Sequence, residues 1–136
     1  MEKRIRVEIG KLQYNVNYTG NIVSYFNDKI NALVEINVFK YPFICPSITI
    51  NNYSYSSFLH CKFVKEMKYL SKNNDCFCCR SLTCDKNWHL MVSLENINNE
   101  IEKVINLNRR AVDLFLCSKI VHVFPVEMQV EIMKYI

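Results

Sequence analysis

Cys76-Phe77-Cys78-Cys79 places three thiols within four residues, with Arg80 beside them and Cys84-Asp85-Lys86-Asn87-Trp88 a few positions on. A thiol does chemistry as its thiolate, both as a nucleophile and as a soft metal ligand, and nearby cations such as Arg80 and Lys86 favour that ionised form. Acyl transfer at such a sulfur also needs donors for a tetrahedral oxyanion, and Ser81 and Asn87 have suitable side chains. Three uses of the cluster stay open at this level. The first is nucleophilic. The second is a zinc site drawing on His60, Cys61, Cys76, Cys78, Cys79, Cys84 and His89, although the spacing lacks the paired Cys-x-x-Cys knuckles of structural zinc. The third is plain packing on a strand, where alternation would bury Cys76 and Cys78 and expose Cys79.

The whole chain sets limits on these uses. Seven cysteines, an odd number, make no tidy disulfide framework and fit a reducing compartment. At 136 residues, 50% hydrophobic and 22% charged, the chain has the composition of a single folded domain, expected over 1–136. No stretch approaches the roughly 18 apolar residues of a membrane span, and Met1-Glu2-Lys3-Arg4-Ile5-Arg6 lacks the apolar run of a secretory signal. The expectation is a soluble protein of the cytoplasm or nucleus with no membrane partner. The net charge of +4 is spread along the chain and mixed with acids, so nucleic acid is not an expected partner either. Abundant Asn, Lys and Ile with only two glycines suit an AT-rich coding genome, as in a large DNA virus or a parasite. A viral origin would place the protein in the host cell cytoplasm.

The elements that must position the cysteines can be read in order. Ile5, Val7, Ile9 and Leu12 fit a strand or a short helix equally well. An Asn-rich stretch from Tyr14 to Asp28 carries a turn signal at Tyr18-Thr19-Gly20-Asn21, which predicts a hairpin. Ala32 to Phe39 alternates, with Leu33, Glu35, Asn37 and Phe39 on one face and Val34, Ile36 and Val38 on the other. Pro42 and Pro46 then force the chain out of the sheet, and Ser47 to Ile50 resumes as the next strand. Tyr53 to Phe77 reads as a long surface excursion with a helical turn or two around Phe63, Val64, Met67 and Leu70. Val92, Leu94, Ile97, Ile101, Val104, Ile105 and Leu107 recur at three and four, with Ser93 as N-cap and Asn96 three residues on, predicting a helix from Ser93 to Leu107. Ala111 to Val123 predicts a separate buried helix, and Pro125 opens a last amphipathic turn with Val126, Val130, Ile132 and Met133. Trp88 reads as a core anchor, and His89 and His122 as packing residues. Phe124-Pro125-Val126-Glu127 resembles the Leu-Pro-x-Glu start of an F-box, but the match stops short, and a helix with Pro in its first turn accounts for it.

The order strand, Tyr-Pro-Phe-x-x-Pro, strand, long connection, cysteine, tryptophan, amphipathic helix resembles the core of the ubiquitin-conjugating (E2-like) enzymes. It is carried by Val34-Glu35-Ile36-Asn37-Val38-Phe39-Lys40-Tyr41-Pro42-Phe43-Ile44-Cys45-Pro46-Ser47-Ile48-Thr49-Ile50, by Cys78 with Leu82 four residues later and Trp88 ten residues later, and by the passage from His89 to Leu94. The resemblance covers Leu33 to Leu107. It implies an α+β, UBC-like fold, an antiparallel β-meander packed against helices. It also implies transfer of ubiquitin or a ubiquitin-like protein as a thioester on Cys78, with Cys79 as the competing choice. Asp85 would polarise an incoming lysine amine, as an acidic residue after the cysteine does in the family, while Asn87, or Ser81, is offered for the oxyanion by its side chain alone. The implied partners are the modifier and an activating enzyme or a ubiquitin ligase, with no cofactor and no metal. Four departures stand beside these matches: Tyr53-Ser54-Tyr55-Ser56-Ser57-Phe58 holds no His-Pro-Asn triplet, the connection from Tyr55 to Cys78 is long, Leu90 replaces a proline, and the C-terminal helices are short. Since the family includes members that only bind, an inactive adaptor, with or without zinc, is the second expectation.

Overall fold

A computed structural model of the chain describes residues 2–120 and 123–135. The ambiguous opening segment is a helix, α1 (Glu2–Leu12), with Ile5 and Ile9 buried and Val7 turned outward. The spacing Ile5, Ile9, Leu12 is one helical stripe, and the Arg4–Glu8 pair at 2.6 Å adds an i,i+4 link along the same helix.

Five strands follow as an antiparallel meander in sequence order: β1 (Val16–Thr19), β2 (Ile22–Asn27), β3 (Ala32–Asn37), β4 (Ser47–Ile50) and β5 (Tyr53–Ser54). The predicted first hairpin is present, with Gly20 at φ 60° opening its two-residue loop, a conformation that costs glycine little. β3 alternates as expected, burying Ala32, Val34 and Ile36. Val34 lies between Tyr25 on β2 and Ile48 on β4, so the inward residues of three strands meet in register. Phe39, placed on the strand by pattern alone, lies beyond its end and is exposed. The β4–β5 turn was not anticipated. Asn51 and Asn52 take φ values of 51° and 68° there, the pair of left-handed residues that a type I′ loop requires and that asparagine tolerates.

The excursion after the sheet is more ordered than its sequence implies. It forms α2 (Tyr55–Leu59) and α3 (Val64–Ser71), which bury Tyr55, Leu59 and Met67. Cys76, Cys78 and Cys79 do not lie on a strand: a single turn, α4 (Phe77–Arg80), takes their place, leaving Cys76 and Cys79 exposed and Cys78 half-buried.

The two predicted helices after Trp88 are one, α5 (Leu94–Ile120), 27 residues long. Its start is as expected: the Asn96 amide donates to Ser93 Oγ at 3.1 Å and the Ser93 amide to Asn96 Oδ1 at 3.0 Å, a reciprocal cap. Leu94, Ile97, Ile101, Val104, Ile105, Ala111 and Leu114 form its buried stripe. Asn108 sits within that stripe where a break was expected, donating to Cys61 Sγ at 3.4 Å and Met67 Sδ at 3.8 Å. The far end is not buried as predicted, since Leu116 and Ile120 are exposed. The last element, α6 (Val126–Met133), begins after Pro125 as expected, with Val126 and Val130 exposed. His122 lies outside the described residues.

α5 is tied to the sheet through Asn27, whose amide donates to Asn98 Oδ1 at 3.3 Å and Glu102 Oε1 at 3.1 Å. It is also tied to α1 through Glu8. That carboxylate accepts from Arg4, from the Tyr41 hydroxyl at 2.5 Å and from the Leu94 amide at 3.0 Å. The domain is therefore α+β, a five-stranded antiparallel meander with helices packed on it. Among the described residues no helix is long and apolar enough to cross a membrane.

Candidate functional site

The cysteine turn is held from two sides. From α5, Glu100 accepts a hydrogen bond from the Leu82 amide at 2.7 Å, from Ser81 Oγ at 2.8 Å and from the Tyr55 hydroxyl at 2.8 Å. From the next loop, Asn87 Nδ2 donates to the Cys79 carbonyl at 2.7 Å and to the Ser81 carbonyl at 2.8 Å. Leu82 packs on the core beneath the turn. Neither tie was visible in sequence. The signal that could have found Glu100 is a carboxylate beside the apolar stripe of an amphipathic helix, where a charge needs a partner.

Both expected oxyanion donors have other work. Ser81 is buried and gives its hydroxyl hydrogen to Glu100, which corrects its assignment. Asn87 directs its amide nitrogen at backbone carbonyls. Arg80 pairs with Asp75 at 3.6 Å on the open surface.

Cys78, Cys79, Cys84, Asp85 and Lys86 line one groove together with Ser56, Leu59 and Thr83. Asp85 and Thr83 also line a neighbouring groove with Phe43, Ile44, Cys45, Pro46 and Trp88. Asp85 thus stands on the ridge between the sulfurs and the exit of the meander. Trp88 is anchored to that exit: its indole N–H donates to the Pro42 carbonyl at 2.8 Å, and its ring lies 6.1 Å from that of buried Tyr41. The Tyr41–Pro42 peptide bond is cis. His89, read as a packing residue, is exposed and accepts from the Met91 amide at 3.2 Å.

The three sulfurs share a small space, with Cys76 Sγ 2.7 Å from Cys78 Sγ and Cys78 Sγ 3.8 Å from Cys79 Sγ. The hydrogen bond from Cys78 holds the Cys76 thiol down to about 7, and the same bond pushes Cys78 up to about 12. Cys76 and Cys78 therefore titrate as a pair through their shared contact, the thiol that donates moving up and the one that accepts moving down. Burial, with Glu100 and Asp85 nearby, pushes the Cys45 thiol up to about 12 and keeps it neutral. His60, Cys61, Cys84 and His89 do not join the cluster: among the described residues only Cys76, Cys78 and Cys79 gather as metal-ligand types, all within 4.8 Å.

Fold and groove together define an α+β meander domain that presents a braced cysteine turn beside the proline-bounded exit of its sheet. In comparisons with known proteins the chain matches no protein-family model, no curated protein and no solved structure.

Proposed function

We propose that this chain is an E2-like carrier that accepts ubiquitin or a ubiquitin-like protein as a thioester on Cys78 and passes it to a lysine, directly or through a ubiquitin ligase. The observation that carries the reading is the Trp88 hydrogen bond to Pro42 at 2.8 Å. It brings the Tyr-Pro exit of the sheet to the loop that follows the cysteine, the juxtaposition that the order of motifs implies. Asp85, which lines the groove with Cys78, adds to it.

In the loading step the Cys78 sulfur attacks the thioester carbonyl of a modifier carried by an activating enzyme. A new carbon–sulfur bond forms, the activating enzyme's thiolate leaves, and the Cys78 proton passes to Cys76 Sγ, its nearest acceptor at 2.7 Å. In the discharge step a neutral lysine amine, attracted and oriented by Asp85, attacks the Cys78 thioester: the carbon–nitrogen bond forms, the carbon–sulfur bond breaks, and Cys78 departs as the thiolate, which takes up the proton that the amine loses.

The test is a charging reaction with activating enzyme, ATP and ubiquitin or a ubiquitin-like protein. The expected product is a reductant-sensitive adduct that Cys78→Ser abolishes or converts to a reductant-stable ester, and that Cys79→Ser leaves in place. Failure to charge with any such modifier refutes the carrier. A second reading, a binding module of the same fold without transfer activity, is favoured by one observation: Asn87 spends its amide hydrogens on the Cys79 and Ser81 carbonyls.

A further inference from the structure

The exposed cysteines raise a separate question. Cysteine placed for packing is at least half-buried, as Cys45 and Cys61 are, yet Cys76 and Cys79 are exposed and still turn their sulfurs towards Cys78. Core filling does not explain that convergence.

We infer that Cys76, Cys78 and Cys79 form a site for one thiophilic d10 cation, Zn(II) or Cu(I), bound by three sulfurs on a single turn. Soft thiolates select these ions over harder cations. With metal–sulfur bonds of about 2.3 Å, the sulfurs of a tetrahedral site stand about 3.8 Å apart. Cys78 Sγ and Cys79 Sγ are already at 3.8 Å. Cys76 Sγ, at 2.7 Å from Cys78 Sγ, must move outward by about 1 Å. Cys76 is free to do so, because it stands at the N-terminal edge of α4 with its side chain in solvent. The rest of the turn is fixed, since Asn87 holds the Cys79 carbonyl and Glu100 holds the Leu82 amide. Binding therefore orders little that is not ordered already.

Once Cys76 has moved outward, three protein sulfurs complete the coordination of Cu(I), whereas Zn(II) would take a water as its fourth ligand. Binding moves no electrons and releases the thiol protons to solvent. Because the ion occupies Cys78 Sγ, a bound metal and an acyl group on that sulfur exclude each other. The site itself does not depend on the transfer reading.

The experiment is an anaerobic titration of the reduced full chain with Co(II), back-titrated with Zn(II), and separately with Cu(I) under a competing chelator. Co(II) should give a sulfur-to-metal charge-transfer band that saturates at one equivalent and is displaced by Zn(II), or Cu(I) should bind at one equivalent. Either result supports the site. Cys76→Ser and Cys79→Ser should each weaken binding by at least about tenfold, a loss already caused by removing a metal ligand's own hydrogen-bond partner. Substituting all three cysteines by serine should abolish binding while circular dichroism stays unchanged, and Cys117→Ser should bind as the parent does. Binding that survives in the triple variant, or is lost equally in Cys117→Ser, overturns the inference. So does the lack of one-equivalent binding by both ions. No activating enzyme enters the titration, so failure to charge with ubiquitin and failure to bind metal are separate results.

Discussion

Trp88 and Pro42, 46 residues apart, are joined by an indole N–H to carbonyl hydrogen bond of 2.8 Å. A proline carbonyl at a sheet exit has no ladder partner, and the indole supplies one while its ring packs beside Tyr41 at 6.1 Å. Trp88→Phe keeps most of that packing and removes the donor. The expected cost is about 1 kcal/mol, read as a lower urea midpoint with an unchanged slope. An unchanged midpoint would show that water replaces the indole at no cost.

Glu8 carries a pH signature. Burial pushes its carboxyl up, but hydrogen bonds from Tyr41, the Leu94 amide and Arg4 outweigh that effect, so its net position is below the usual carboxylate value. A group lowered on folding stabilises the protein fully above its unfolded value of about 4.3, and the contribution fades as pH falls through the lower folded value. Glu8→Gln should therefore destabilise at pH 7 by about 1–2 kcal/mol, allowing for solvent around Arg4. It should also flatten the acid limb of the stability curve. Parallel acid limbs in parent and variant would remove Glu8 from that role.

Glu100→Gln tests the bracing of the cysteine turn. The amide can no longer accept from Ser81, Leu82 and Tyr55 as the carboxylate does, with an expected loss of about 2 kcal/mol. Because the Leu82 amide donates to Glu100 at 2.7 Å, its hydrogen exchange should accelerate more than that of the β3 amides. Uniform acceleration would point to global destabilisation only.

Asn52→Ala tests the unforeseen turn. Asn52 sits at φ 68°, where alanine is disfavoured by about 1 kcal/mol. Thermal unfolding should shift down accordingly, while Asn52→Gly should not lower it. A destabilised glycine variant would mean that the asparagine side chain, not its backbone, matters there.

Much of the sheet was legible because one face is buried. Val34 and Ile36 alternate with Leu33 and Glu35, and only one register puts them in the core. The Ser93 cap was legible because it needs only Ser93 and Asn96. α1 was not, since Ile5, Val7, Ile9 and Leu12 satisfy both periods and only the helix stripe of Ile5 and Ile9 meets a partner. The length of α5 was hidden because Asn108-Arg109-Arg110 looks like a break. Asn108 is tolerated in the stripe only because two sulfur atoms from other segments meet its amide. At the candidate site, the position of Asp85 beside Cys78 was within reach of spacing, but the proton balance between Cys76 and Cys78 was not. It depends on a helical turn four residues long, too short for any period to reveal.

The Glu8 carboxylate gathers donors from the first helix, from the sheet exit at Tyr41 and from the first residue of α5. Peeling α1 away would strand a tyrosine hydroxyl and open the amide end of the longest helix in one event. The eleven residues of α1 thus belong to the body of the fold: opening them and melting the rest should share one cooperative transition, with α1 amides protected almost as long as those of β3.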